Sequence, residues 1–175
     1  YQAHASKSGA WWEAVKKTDT SGFDTRIMSA VVKYNQVGDV VQTRKDIDAF
    51  LRDLPYDPEA LVQAGYTFLF MGEPNRALEC FEAFERVGKH LPYFCLALHG
   101  IGSVHLLENQ LELAIPYFDE ATRREPGYPA PYRWKAAALA LLGNDSEAKA
   151  TMQTGLVLTP GLTVQAVRAG ARYVD

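Results

Sequence analysis

The chain has little of what marks an enzyme, a nucleic-acid binder or a membrane protein. Only two of its 175 residues are cysteine, Cys80 and Cys95. Two are too few for a disulfide framework or a zinc site. Both sit among apolar neighbours and read as small buried hydrophobes, with nothing to support a bridge between them. No run of about 18 apolar residues exists, which excludes an ordinary membrane-spanning helix. The sequence opens at Tyr1 without a starting Met or a signal-peptide pattern, and we expect a segment of a longer protein. Lys and Arg number 18 against 21 Asp and Glu, a formal charge of −3. The basic residues form only isolated pairs such as Lys16-Lys17 and Arg123-Arg124, so the electrostatic footprint of a nucleic-acid site is missing.

Catalytic signatures are missing as well. There is no phosphate-cradling glycine loop, no G-x-S-x-G and no H-E-x-x-H. His99 and His105 are six residues apart, which puts them on different sides of a helix and rules out a shared metal of the i, i+4 kind. His105 reads as a packed core histidine, His90 as a loop residue and His4 as part of a tail. Glu79, Glu82 and Glu85 share helical spacing and read as a solvated helix face. We therefore expect no enzyme activity, no cofactor and no metal.

What is present is a repeat. Three stretches share one phase. The first carries Leu61, Ala64-Gly65, Phe68 and Gly72, then Ala77, Phe81 and Phe84. The second carries Leu98, Ile101-Gly102, His105 and Asn109, then Ala114, Phe118, Ala121 and Pro126. The third carries Tyr132, Lys135-Ala136, Leu139 and Gly143, then Ala148, Met152, Gly155 and Pro160. Ala77 and Ala114 are 37 residues apart, and Ala114 and Ala148 are 34 apart. The three extra residues are expected in the loop around Gly88 to Leu91. The pattern within each stretch has the 3.6-residue period of helices and not the alternation of strands. Its alternative is an irregular helical bundle.

Each position has a physical reason. Gly65, Gly102 and Ala136 on the first helix, and Ala77, Ala114 and Ala148 on the second, keep the paired helices close. Phe81, Phe118 and Met152 lie one turn beyond the alanines, on the same face, and fill the adjacent space. Gly72, Asn109 and Gly143 tolerate the left-handed backbone that ends a helix. Pro126 and Pro160 stop the second helix, and Pro129 and Pro131 suit the first turn of the next.

This arrangement resembles the tetratricopeptide family, whose period is 34 residues. The resemblance implies an all-α solenoid of helical hairpins: a degenerate helical region over 1–57, three repeats over 58–160 (about 58–91, 92–126 and 129–160) and a capping helix over 161–175. In the first region Phe23, Ile27, Val31 and Tyr34 suggest one helix. Asp39 is placed to cap another that carries Ile47, Phe50, Leu51 and Leu54. Ser8 would cap a short helix with Trp11, Trp12 and Val15. Leu162, Val167 and Ala171 would cover the last repeat, as solenoid ends require.

The stretch from Phe94 to Ala169 is similar to the carboxy-terminal tetratricopeptide tails of bacterial class III adenylate/guanylate cyclases and of some winged-helix regulators. It contains Pro126-Gly127-Tyr128-Pro129-Ala130-Pro131-Tyr132-Arg133, Glu147-Ala148-Lys149-Ala150 and Leu158-Thr159-Pro160-Gly161. That resemblance implies a non-catalytic regulatory or scaffolding segment. Its groove would be lined by Val62, Tyr66, Leu69 and Phe70, then His99, Ser103, Leu106 and Leu107, then Arg133, Ala137, Ala140 and Leu141. Such a groove suits an extended segment or an amphipathic helix of a protein partner. Chaperone-binding members grip a terminal carboxylate with Lys and Asn; Val62, Tyr66, His99 and Ser103 stand there instead, so that clamp is not expected. A homodimer through Trp11 and Trp12 is the alternative, and a small-ligand receptor or enzyme in which the solenoid encloses a pocket is a third reading. The cytoplasm is the expected compartment, with the periplasm as its alternative.

Overall fold

The computed structural model describes residues 39–163. Among them are seven α-helices and no strand: α1 (Val40–Asp53), α2 (Pro58–Phe70), α3 (Pro74–Gly88), α4 (Phe94–Leu107), α5 (Leu111–Arg124), α6 (Pro129–Leu141) and α7 (Asp145–Leu158). They pair as α2/α3, α4/α5 and α6/α7, each pair packed on the next. The helix expected over Phe23–Tyr34, the Trp11-Trp12 segment, Ser8, Val167 and Ala171 lie outside the described residues.

Local chemistry sets the helix ends. The Asp39 carboxylate accepts from the Gln42 N–H at 2.9 Å and so caps α1 as expected. Asp57 does the same for α2, accepting from the Ala60 N–H at 2.7 Å, with Pro58 in the first turn. All three first helices stop the same way. Gly72, Asn109 and Gly143 have φ of 74, 59 and 82°. Behind each, two reverse hydrogen bonds close the turn: Glu73 N–H to Phe68 C=O and Gly72 N–H to Leu69 C=O, Gln110 to His105 and Asn109 to Leu106, Asn144 to Leu139 and Gly143 to Ala140. This is the Schellman motif, repeated three times.

The three extra residues of the first repeat are not all in the loop. Set against the second repeat, α3 is one residue longer than α5, the following connection is one longer, and α4 is one longer than α6. Helix ends absorb the insertion because an added residue there keeps its backbone hydrogen bond.

The core is aromatic and runs along the stack. Phe68, Phe81, Phe84 and Phe118 are fully buried. The small positions act as expected, with one refinement: the close approach is of a ring to a backbone. A Cβ on Gly65 would stand 2.6 Å from the Phe81 ring, and one on Gly102 would stand 2.7 Å from the Phe118 ring. Phe81 is also pressed against Gly100, so a single ring joins α2, α3 and α4. The third pair solves the same problem with other residues. Ala136 stands in place of the glycine and Met152 in place of the ring, and Gly155 admits Tyr132 and Arg133, whose carbons would lie 3.2–3.3 Å from an added Cβ.

Ion pairs tie the outer faces together. Arg44 donates to Glu73 at 3.0 Å from Nε, and Arg76 meets Asp48 at 2.6 Å, fixing α1 to the start of α3. Lys135 on α6 lies between Asp119 on α5 (2.7 Å) and Glu147 on α7 (3.4 Å). His105 is half-buried, stacked on Tyr117 and bonded through Nδ1 to Gln110 Oε1 at 2.7 Å. It was expected in the core. The Gln110 amide holds the ring at the rim of the hairpin instead.

Candidate functional site

The first helices α2, α4 and α6 lie directly against one another. No comparable contact joins α3 to α5 or α5 to α7 among the described residues. A row of hairpins built this way has its first helices along the inner wall. Phe70, Leu107 and Leu141 are each the last residue of such a helix, and they share the 37- and 34-residue spacing of the alanines. All three are more than half exposed, at 52, 55 and 66%. Ala137 and Ala140 are exposed beside them, and Leu106 and Arg133 are half-buried.

The other expected lining residues lie deeper. Val62, Leu69, His99 and Ser103 are buried, and Tyr66 is largely so. The Ser103 hydroxyl donates to the His99 carbonyl one turn back at 2.8 Å, which satisfies it within its own helix. Tyr66 and His99 come together in a polar cluster beneath the wall. His99 Nδ1 lies 2.7 Å from the Tyr66 hydroxyl and 2.8 Å from that of Tyr128, while Tyr66 donates to the Leu96 carbonyl at 2.9 Å. The rings of Tyr66, Phe118, Tyr128 and Trp134 surround the imidazole at 5.4–6.1 Å between centroids.

Burial governs the cluster's charge. It pulls His99 down to about 3, and the nearby Arg133 guanidinium acts in the same direction, so the ring is neutral across the physiological range. Burial raises both tyrosines, and they remain phenols. His99 Nε2 is buried and has no hydrogen-bond partner. Whichever tautomer forms, one ring position is unsatisfied. Arg133 is half desolvated, which lowers its pKa, and its Nη1 reaches the Thr159 hydroxyl at 3.3 Å. Tyr128, Trp134 and Thr159 were not expected at the site. Tyr128 sits in the connection between α5 and α6 and Thr159 at the end of α7, and no periodicity points to such residues.

Cys80 and Cys95 are buried free thiols pushed up to about 12 by burial, the opposite of a reactive thiol. No cluster of three or more His, Cys, Asp or Glu able to hold a metal occurs among the described residues. None of their helices is long and apolar enough to cross a membrane.

Residues 97–128 match the family model described as tetratricopeptide repeat. No curated protein matches the chain. Among solved structures, PilW, described as a widely conserved type IV pilus biogenesis factor, superposes with a TM-score of 0.71 at 16% identity, covering 91% of this chain and 72% of that one. MamA from Desulfovibrio magneticus RS-1 gives 0.62 at 20%, over 77% of this chain and 74% of that one. A chain of the Cut9-Hcn1 complex of APC/C gives 0.67 at 12%, over 96% of this chain and 32% of that one.

The fold is a tetratricopeptide-type solenoid. In the tetratricopeptide frame, residues 97–128 span most of α4, all of α5 and the Tyr128 that closes over His99. The buried polar cluster thus centres on His99 in the matched repeat, with Tyr66 reaching it from the repeat before and Tyr128 from the connection to the next. The likeness to cyclase and winged-helix tails is not among these matches.

Proposed function

We propose that the chain is a non-catalytic scaffold that binds a segment of a protein partner along its inner wall. The observation that carries this is the ladder Phe70, Leu107 and Leu141, large apolar side chains kept exposed at the same place in three successive repeats. Ala137 and Ala140 leave room between the rungs. A helix or extended segment with regularly spaced apolar anchors fits such a surface. Val62, Leu69, His99 and Ser103 contribute by holding the wall in shape, and Tyr66, Leu106 and Arg133 by forming its floor. The similarity of Phe94–Ala169 to cyclase and regulator tails supports a regulatory segment of a larger bacterial signalling protein. Free, unreactive thiols suit a reducing cytoplasm.

The test is affinity capture from lysate of the source organism, comparing wild type with the double variant Leu107→Asp/Leu141→Asp. These residues are exposed, so the fold should persist, checked by circular dichroism. A protein retained by wild type and lost by the variant supports the reading; identical profiles reject it. Self-association is the second reading, favoured by Leu156 and Val157, exposed at 39 and 77% on α7. Sedimentation showing a monomer at high concentration would remove it.

A further inference from the structure

Among the described residues the half-buried cations have carboxylate partners, with one exception. Arg44 meets Glu73, Arg76 meets Asp48, and Lys135 sits between Asp119 and Glu147. Arg133 alone among the described residues is half-buried with no carboxylate in reach; its one hydrogen bond is the 3.3 Å contact to the Thr159 hydroxyl. A guanidinium offers five donors. Holding it half out of water without an anion costs free energy that a carboxylate would recover.

A second observation lies beside it. His99 and Arg133 are 34 residues apart and occupy the same place on adjacent first helices, α4 and α6. His99 is 5% exposed, and its Nε2 has no partner. Tyr128, whose hydroxyl bonds to His99, also lies within the field of Arg133. Arg133 therefore stands, where the second repeat meets the third, within the field of a buried cluster made of the His99 imidazole and the Tyr66 and Tyr128 phenols. None of them carries a negative charge.

We propose that this junction is an anion subsite which takes one side-chain carboxylate of the partner segment, with Arg133 as the direct ligand. The proposal rests on the inner-wall reading and gives the partner's chemistry. A single cation is too little for a nucleic-acid backbone, which demands several. It suits one Asp or Glu set among apolar anchors. Ala137 and Leu141 follow Arg133 at i+4 and i+8 on the same face of α6. Leu141 therefore lies about 12 Å from Arg133 along the axis. The occupant carries an acidic residue and a large apolar residue separated by that distance, about four residues if extended or eight if helical.

The probe is a random peptide library displayed on phage, selected against the full chain and against Arg133→Gln. Gln is neutral and of similar reach, and it removes a desolvated charge, so the variant should melt no lower than wild type. Wild type is expected to enrich peptides with Asp or Glu at a fixed offset from a Leu, Ile or Phe. The best peptide is then synthesised with Glu or Gln at that place. Wild type should bind the Glu form about tenfold more tightly, and Arg133→Gln should bind both forms equally. Leu107→Asp/Leu141→Asp should lose both. Selected peptides without an acidic preference, lost on the leucine double variant, would overturn the anion subsite and leave the inner wall standing. Peptides indifferent to all three substitutions, or no selected peptide, would overturn both.

Discussion

A ring lying on a glycine sets the spacing of the first two hairpins. Phe118 rests where a Gly102 side chain would be, and Phe81 rests on both Gly65 and Gly100. Gly102→Val should force the α4/α5 pair apart and cost roughly 1–3 kcal/mol by urea unfolding; an unchanged midpoint would mean the ring has room to move. His99 makes a second claim at this scale. Its folded value is about 3 and its unfolded value about 6.5. Between those limits the unfolded chain binds a proton that the folded chain refuses, so stability is full above about pH 6.5 and falls as the pH is lowered towards 3. Carboxylates also titrate near the lower limit, so the measurement is a difference. The stability gap between wild type and His99→Leu should shift by a few kcal/mol (about 2 or more) in favour of the variant between pH 7 and pH 4. A gap independent of pH would show that the imidazole is solvated.

The helix ends carry the next set of expectations. Asp57→Ala removes the acceptor for the Ala60 N–H and should cost about 1 kcal/mol. Asn109 is the only non-glycine with positive φ among the described residues. Asn109→Ala should cost roughly 1 kcal/mol, because a β-carbon without a compensating polar group crowds the left-handed backbone. Thermal melts of the two variants check both values. These ends were legible from the residues. Asp39, Gly72, Asn109 and Gly143 act through the backbone of their own turn, and short-range rules describe that backbone well. His105 departs from its repeat position for a related reason. The repeat pattern assigns it to a core position, but its exposure depends on Gln110, whose pull on the ring no repeat pattern encodes.

In the whole molecule, burial is uneven. The middle of the stack holds Phe81, Phe84, Ile101, Val104 and Phe118, all fully buried or nearly so. In α7 only Ala148 and Gly155 are buried. Solenoid stability is a sum of repeat and neighbour terms, so hydrogen exchange should open α7 before α4 and α5. Equal protection across the three helices would point to one cooperative unit. The sequence by itself determined the helical hairpins, their period, their ends and the small positions, because each follows from residues within one or two turns of each other. Only the tertiary structure decided which inner residues face solvent. Val62 and His99 occupy the same repeat position as Arg133, yet the first two are buried and the third is half-open with its charge unpaired. For His99 the cover comes from Tyr128 and Trp134 closing over it across a repeat junction, a long-range contact that no local spacing contains.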